Sequence, residues 1–358
     1  MLIIDAHLDL AWNALQWNRD LTRPVYTIRT MEGGTPGKGR TLGTVALPEL
    51  RQGRVALCFA TVLARSTGNH VPALDFPSPT QSNAIARGQL AYYRALERQG
   101  QARVIADRAG LDAHIAAWQA WEANPTEPAP APGMVISMEG ADPILDPAEL
   151  AEWRALGLRI IGPAHYGPGR YAGGTGTENG LTDPGRALLS AMERERIVLD
   201  VTHLADPAFW EALERFNGPI LASHNNCRAL VPHQRQFSND QLRAIVARDG
   251  VIGAALDTWM LQPGWIVGAP NNPPVPLERV VDHIDHICQL AGNSRHAAIG
   301  TDLDGGFGRE QSPSDLDTIA DLQRLPSLLA QRGYAAADIA AIMHGNWLRL
   351  LRDAWNDL

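Results

Sequence analysis

The sequence predicts an α/β chain folded as a (β/α)8 barrel. Three observations lead there. Eight short apolar, β-branched runs recur along the 358 residues, helical patterns fall between them, and polar residues collect at the C-terminal ends of the runs. Strands that alternate with helices pair in parallel, and eight such units close a barrel. A doubly wound parallel sheet is the second architecture compatible with the pattern.

The runs are 2–9 ("LIIDAHLD"), 54–64, 133–140, 158–165, 196–203, 219–224, 250–257 and 296–304. Helices are expected at 81–99, 145–155, 183–195, 206–216, 239–248 and 277–291. Pro- and Gly-rich stretches at 22–44, 123–132, 167–182 and 262–276 read as loops, none long enough to be a domain. Residues 1–358 are therefore expected to form one domain.

The first run sets the chemical question. Asp5, His7 and Asp9 are spaced two apart, which in a regular strand puts all three on one face. Burying them without partners costs on the order of 2–7 kcal/mol per polar group. A cation or a water-filled cleft removes that cost; a strand end emerging into solvent is the plainer alternative. The third run ends in Glu139, the fourth in His165, the fifth in His203, the sixth in His224, and the eighth in Asp302 and Asp304. Barrel enzymes gather functional side chains at these ends. A purely structural role would scatter histidines over helices and loops, as with His114, His283 and His286. Three histidines and two carboxylates exceed the needs of one four-coordinate zinc that keeps an open position. They suit two metals bridged by a carboxylate. Lys38, the only lysine, sits in "GGTPGKGR" away from any strand end. It cannot serve as a bridging carbamylated lysine, and Glu139 is the natural bridge.

A formal net charge of −8 and the lack of any Lys/Arg-rich run argue against a nucleic-acid partner. Cys58, Cys227 and Cys288 are far apart and form no CxxC pair, which fits a reducing, cytoplasmic setting. The start lacks a basic leader, and no apolar run approaches the ~20 residues of a membrane span. No membrane anchor is expected.

Eight motifs occur in order: "DAHLDLAW", "LPELRQGRVALCFATV", "ISMEG", "GLTDPGRALLSAMERERIVLDVTH", "ILASHNN", "RQFSNDQLRAIVARDGVIG", "AAIGTDLDG" and "IMHGNWLRLL". Through them the chain resembles, over nearly its whole length, the membrane (renal-type) dipeptidases, peptidase family M19 of the amidohydrolase superfamily. The resemblance implies a TIM barrel of the metal-dependent hydrolase type and two divalent ions, zinc first among them. It implies a dipeptide substrate, with a D-residue allowed at the C-terminal position, and leaves a homodimer open. Carried over residue by residue, it makes His7 and Asp9 ligands of one metal, His203 and His224 ligands of the second, and Glu139 the bridge. A hydroxide shared by the metals would be the nucleophile. His165 would face the substrate carbonyl and stabilise the oxyanion. Arg235, eleven residues after His224, would grip the terminal carboxylate. Asp302 would take the proton of the attacking water and pass it to the leaving amine.

The chain departs from the family at Ala11, where proline is usual, and in the segments "GPAHYGPGRYAGG" and "CRALVPHQRQF", which bear on specificity more than on metal binding. Asp304 is expected to orient a ligand histidine or cap the following turn, and Asp5 to support the ligand set. Trp12 and Tyr166 are candidates for the pocket wall. Two other functions stay open: a binuclear hydrolase of N-acyl amino acids, lactones or phosphoesters, and a non-catalytic metal-binding protein. A disordered Arg235, or a pocket too small for a dipeptide, would favour the first. A substituted ligand would favour the second, but all five ligand positions carry the expected residues.

Overall fold

A computed structural model describes residues 1–69, 71–125 and 128–356. Nine strands form one parallel sheet: β1 (Ile3–Leu8), β2 (Val55–Leu63), β3 (Arg103–Val104), β4 (Gly133–Glu139), β5 (Leu158–Gly162), β6 (Val198–Asp200), β7 (Ile220–Ala222), β8 (Val251–Ala254) and β9 (Ala297–Ile299). Their order is β1-β2-β4-β5-β6-β7-β8-β9, with the two-residue β3 added alongside β4. Each of the eight strands on this path lies within one of the eight runs, so the TIM barrel holds and the doubly wound sheet is set aside.

Side chains alternate between two buried layers, as the pleat requires. Ile4, Phe59, Val135, Ile160, Val198 and Leu221 fill the inside, while Ile3, Cys58, Ile136, Ile161 and Leu199 meet the surrounding helices. Trp347 and Leu351 of the helix Asn346–Ala354 complete the inner cluster, the Trp347 ring standing edge-on to Phe59 at 5.2 Å.

The seam between β1 and β9 is closed by a side chain. Asp5 accepts hydrogen bonds from the Thr301 amide (2.8 Å) and hydroxyl (2.6 Å), and the Asp302 amide reaches the His7 carbonyl at 3.3 Å. Burial raises the Asp5 carboxyl to about 6 despite these donors.

The expected helices appear at Pro79–Arg98, Leu150–Ala155, Asp183–Arg194, Asp206–Arg215, Asn239–Ala247 and Glu278–Ala291. Ser238 and Gln241 form a reciprocal capping box at the start of Asn239–Ala247, as "SNDQ" allows. The stretch 22–44 is not all loop: Val25–Met31 is helical, with Val25 and Ile28 buried. The helix Arg108–Ala123 was not anticipated either; it buries Leu111, His114, Ile115 and Trp118. Residues 126 and 127 of the expected loop 123–132 lie outside the described residues. No helix among the described residues is long and apolar enough to cross a membrane.

Candidate metal centre

All eight barrel strands send a polar side chain to the mouth. From β1 come His7 and Asp9, from β2 Arg65, from β4 Glu139, and from the turns after β5 to β9 His165, His203, His224, Asp257 and Asp302. All but His224, and His7 behind it, line a cavity of about 180 Å³.

His7 arrives there by an irregularity. Asp5 pairs with Cys58 but Leu8 with Ala60, so β1 carries one extra residue between them. Ile4 and Ala6 lie inside and Ile3 and Leu8 outside. Asp5 thus stays on the outer side while His7 turns inward, and the two do not share a face. The sequence expectation fails at this bulge, which breaks the period of two. Asp5 still supports His7, whose amide it accepts at 3.2 Å.

Glu139 is the hub. Its Oε1 lies 3.2 Å from His203 Nε2, 3.3 Å from His224 Nε2 and 3.8 Å from His165 Nε2; its Oε2 lies 3.5 Å from His7 Nε2. His7 Nε2 is also 3.8 Å from both Asp9 Oδ1 and Asp302 Oδ1. Three overlapping triads have the spacing of metal ligands: His7–Asp9–Glu139, Glu139–His203–His224 and His7–His224–Asp302. Asp302 was expected to stand apart from the ligands, yet it falls in the third triad.

The electrostatics fit cations. His7 Nε2, Asp9 Oδ1 and Glu139 Oε1 are buried without a hydrogen-bond partner, and each such atom costs about 1–3 kcal/mol or more if left so. Burial, then the charges of Arg235 and His7 respectively, hold His203 and His224 well below the usual imidazole range, so both rings are neutral, with their Nε2 atoms 3.2 Å apart. Burial also opposes ionisation of Glu139, but His165 and His7 outweigh it and keep the carboxylate charged. Their Nδ1 atoms meet hydroxyls, Thr175 at 3.0 Å from His203 and Ser223 at 2.9 Å from His224. These contacts orient each Nε2 toward Glu139. The donor set, imidazole nitrogens and carboxylates around orphaned atoms, suits divalent transition metals.

The backbone is strained at the same place. His203 (φ 67°), Asp302 (φ 58°) and Asp304 (φ 63°) are left-handed non-glycine residues, a conformation that costs on the order of 1–3 kcal/mol each and clusters at functional sites. The Gly-rich segment after β5 has a steric origin: a Cβ on Gly174 would meet the His165 carbonyl oxygen at 1.9 Å, because Thr175 must pass close to reach His203.

Around the metal set, Arg235 is no surface ion pair. It is 3% exposed, and its terminal nitrogens donate to Asn225 Oδ1 (2.5 Å) and the His224 carbonyl (2.8 Å). Trp12 and Tyr166 do line the cavity. Asp304 neither orients a histidine nor merely caps a turn: its carboxylate accepts from the Thr44 amide and hydroxyl, the Val45 amide and Arg19, bracing the segment before Leu47–Gln52. Sequence reasoning missed Arg65, Asp257, Thr175 and Ser223. Asp257 ends the seventh run and Arg65 directly follows the second, so the strand-end rule carried through all eight and one residue further would have found them.

A parallel eight-stranded barrel whose mouth gathers imidazoles and carboxylates is a barrel with a candidate site for divalent metal. Residues 1–356 match the model of the membrane dipeptidases (peptidase family M19), and the chain belongs to that family. It is 31% identical over 231 residues, 62% of this chain and 82% of the other, to an uncharacterized protein in the pqqA 5' region of Klebsiella pneumoniae. It is 28% identical over 207 residues to the dipeptidase tcpJ of Claviceps purpurea, covering 55% of this chain and 45% of that one. Among solved structures, the fold is shared with a metallopeptidase from Rhodobacter sphaeroides liganded with a phosphinate mimic of the dipeptide L-Ala-D-Ala (TM-score 0.77, 24% identity, 99% of both chains). It is shared equally with the M19 metallopeptidase dipeptidase AC (TM-score 0.78, 24% identity, 99% of both chains).

Proposed function

We propose that this chain, as a single catalytic domain, hydrolyses free dipeptides with two divalent ions, zinc first among the candidates. His7 and Asp9 would hold one ion, His203 and His224 the other, and Glu139 both. The observation that carries the reading is the Glu139 carboxylate, whose two oxygens face His7 on one side and His203 with His224 on the other. When bound, the metals lower the pKa of water and polarise the scissile carbonyl.

The protein's own residues do the rest. Arg235 offers the remaining hydrogens of a buried guanidinium to the substrate's terminal carboxylate. His165 presents Nε2 to the carbonyl oxygen and stabilises charge as it develops there. Asp302 takes a proton at its carboxylate and returns it to the departing amine. Tyr166 and Trp12 narrow the entrance against water. The three cysteines are free and buried, which supports a reducing, cytoplasmic setting.

Metal-loaded protein offered L,L- and L,D-dipeptides should release two amino acids, and dipeptide C-terminal amides should be poor substrates. Arg235→Met should raise KM for dipeptides by about 10- to 100-fold, the loss of a charge-assisted pair. Equal turnover of dipeptides and their amides would instead favour a hydrolase of acylated amino acids, lactones or phosphoesters.

A further inference from the structure

Arg235 is one of two buried charges that face the cavity without an ion-pair partner among the described residues; the other is Asp257. It follows β8 by three residues, is 6% exposed, and belongs to none of the three metal triads. Both its oxygens accept from Gln311 Nε2 at 2.8 Å, and Oδ2 accepts from the Trp259 indole at 2.7 Å. All these donors are neutral. A carboxylate has about four acceptor positions, so capacity remains on the cavity side, and a buried carboxylate without a cation is costly. Burial pushes its pKa up to about 7, and Gln311, the more distant charge of Lys38 and Trp259 offset this only in part.

Asp257 also stands where two spaces join. The metal cavity shares Tyr166, Asp257 and Gly305 with an outer vestibule of about 410 Å³ lined by Lys38, Trp259 and Phe307. Lys38, the chain's only lysine, is turned to the Phe307 ring at 5.9 Å and forms no ion pair with Asp257 among the described residues. The cavity therefore presents one unpaired guanidinium and one unpaired carboxylate, the complement of a zwitterion.

We propose that Asp257 receives the α-ammonium group of the substrate, so that the cleft selects dipeptides with a free amino terminus. The proposal rests on the dipeptidase reading and adds the residue that reads the second end of the molecule.

The test compares the best-cleaved dipeptide with its des-amino analogue, which keeps the shape and loses the charge. Metal-loaded wild type, Asp257→Asn and Asp257→Glu are assayed, with melting temperature and metal content measured on each preparation. Wild type should favour the dipeptide by about 100-fold in kcat/KM, as expected for a charge-assisted contact. Asp257→Asn should raise KM for the dipeptide by about 10- to 100-fold and leave the des-amino substrate within about threefold, collapsing the preference. Asp257→Glu should restore part of it. Should Asp257→Asn fail to fold, the wild-type comparison and the Glu variant still decide. The proposal is overturned if wild type cleaves both substrates alike, or if Asp257→Asn lowers both equally. It is also overturned if the variant loses only a preference for basic side chains. Wild type that cleaves no dipeptide would refute the dipeptidase reading itself.

Discussion

Arg65 places an NH1 donor 3.1 Å from Nδ1 of His165. A guanidinium only donates, so Nδ1 must accept, and the neutral ring carries its proton on Nε2, the atom on the Glu139 side. Arg65 is held in turn by Asp75, whose Oδ2 lies 3.3 Å from its Nε. Arg65 thereby fixes the tautomer in which His165 can donate to a carbonyl oxygen. Arg65→Met should lower kcat by about 10- to 100-fold, the usual effect of losing an outer partner of a reacting group, with KM less affected. Arg65→Lys should recover part of the rate. Ring-nitrogen NMR of ¹⁵N-histidine-labelled protein, with His165→Gln to assign the signal, should show the Nε2–H form in wild type and a mixed population in Arg65→Met. An unchanged tautomer would remove Arg65 from this role.

Because Glu139 faces both halves of the cluster, its replacement should be felt by both ions. Glu139→Gln should lose affinity at each site, whereas His224→Ala should chiefly empty one. Elemental analysis across a chelator series checks this, and wild type that retains no stoichiometric metal would refute the binuclear reading.

Asp302 tests the division between holding metal and moving protons. Asp302→Asn keeps size and most hydrogen bonding but cannot take up the proton. It should lower kcat by about 10²–10⁴-fold, the range of a positioned acid–base group, with metal content near wild type. Its place in the triad with His7 and His224 makes the alternative concrete: a variant that sheds an ion would make Asp302 a ligand.

The loop that carries Arg235 is anchored by a buried histidine with its own pH signature. His283 Nδ1 accepts from the Cys227 amide at 3.1 Å, and burial lowers the ring's pKa to about 4. Below the ordinary value near 6.5 the unfolded chain binds a proton that the folded chain refuses, so stability falls as pH drops from about 6.5 toward 4 and levels off below. The loss is at most about 3 kcal/mol. His283→Asn keeps an acceptor for the amide and should flatten the melting temperature across that window, by the difference between its slope and that of wild type.

The strand pattern and the strand-end residues were legible because a barrel repeats one local unit and delivers function at one end of it. His203 and His224 needed only that rule and the family motifs. What the sequence hid were departures from periodicity. The extra residue between Asp5 and Leu8 has no signature in "DAHL", yet it decides which side His7 faces. The left-handed backbone at His203 and Asp302 is imposed by tertiary packing, not by residue type. Asp304 looked like a neighbour of the ligands because it is near them in sequence; its donors come from Arg19, Thr44 and Val45, which no local pattern could supply.

The Asp5–Thr301 clasp has a consequence for the order of assembly. The two residues are 296 positions apart, so the earliest-made of the described strands waits for the last of them before its edge is sealed. Closing so long a loop is entropically costly and slow. Until then His7 and Asp9 sit on one bank and Asp302 on the other. A nascent chain halted before β9 would already carry His7, Asp9, Glu139, His203 and His224, yet β1 would lack the neighbour that clasps it through Asp5. The candidate ligand set would thus be complete before the wall that steadies it is made.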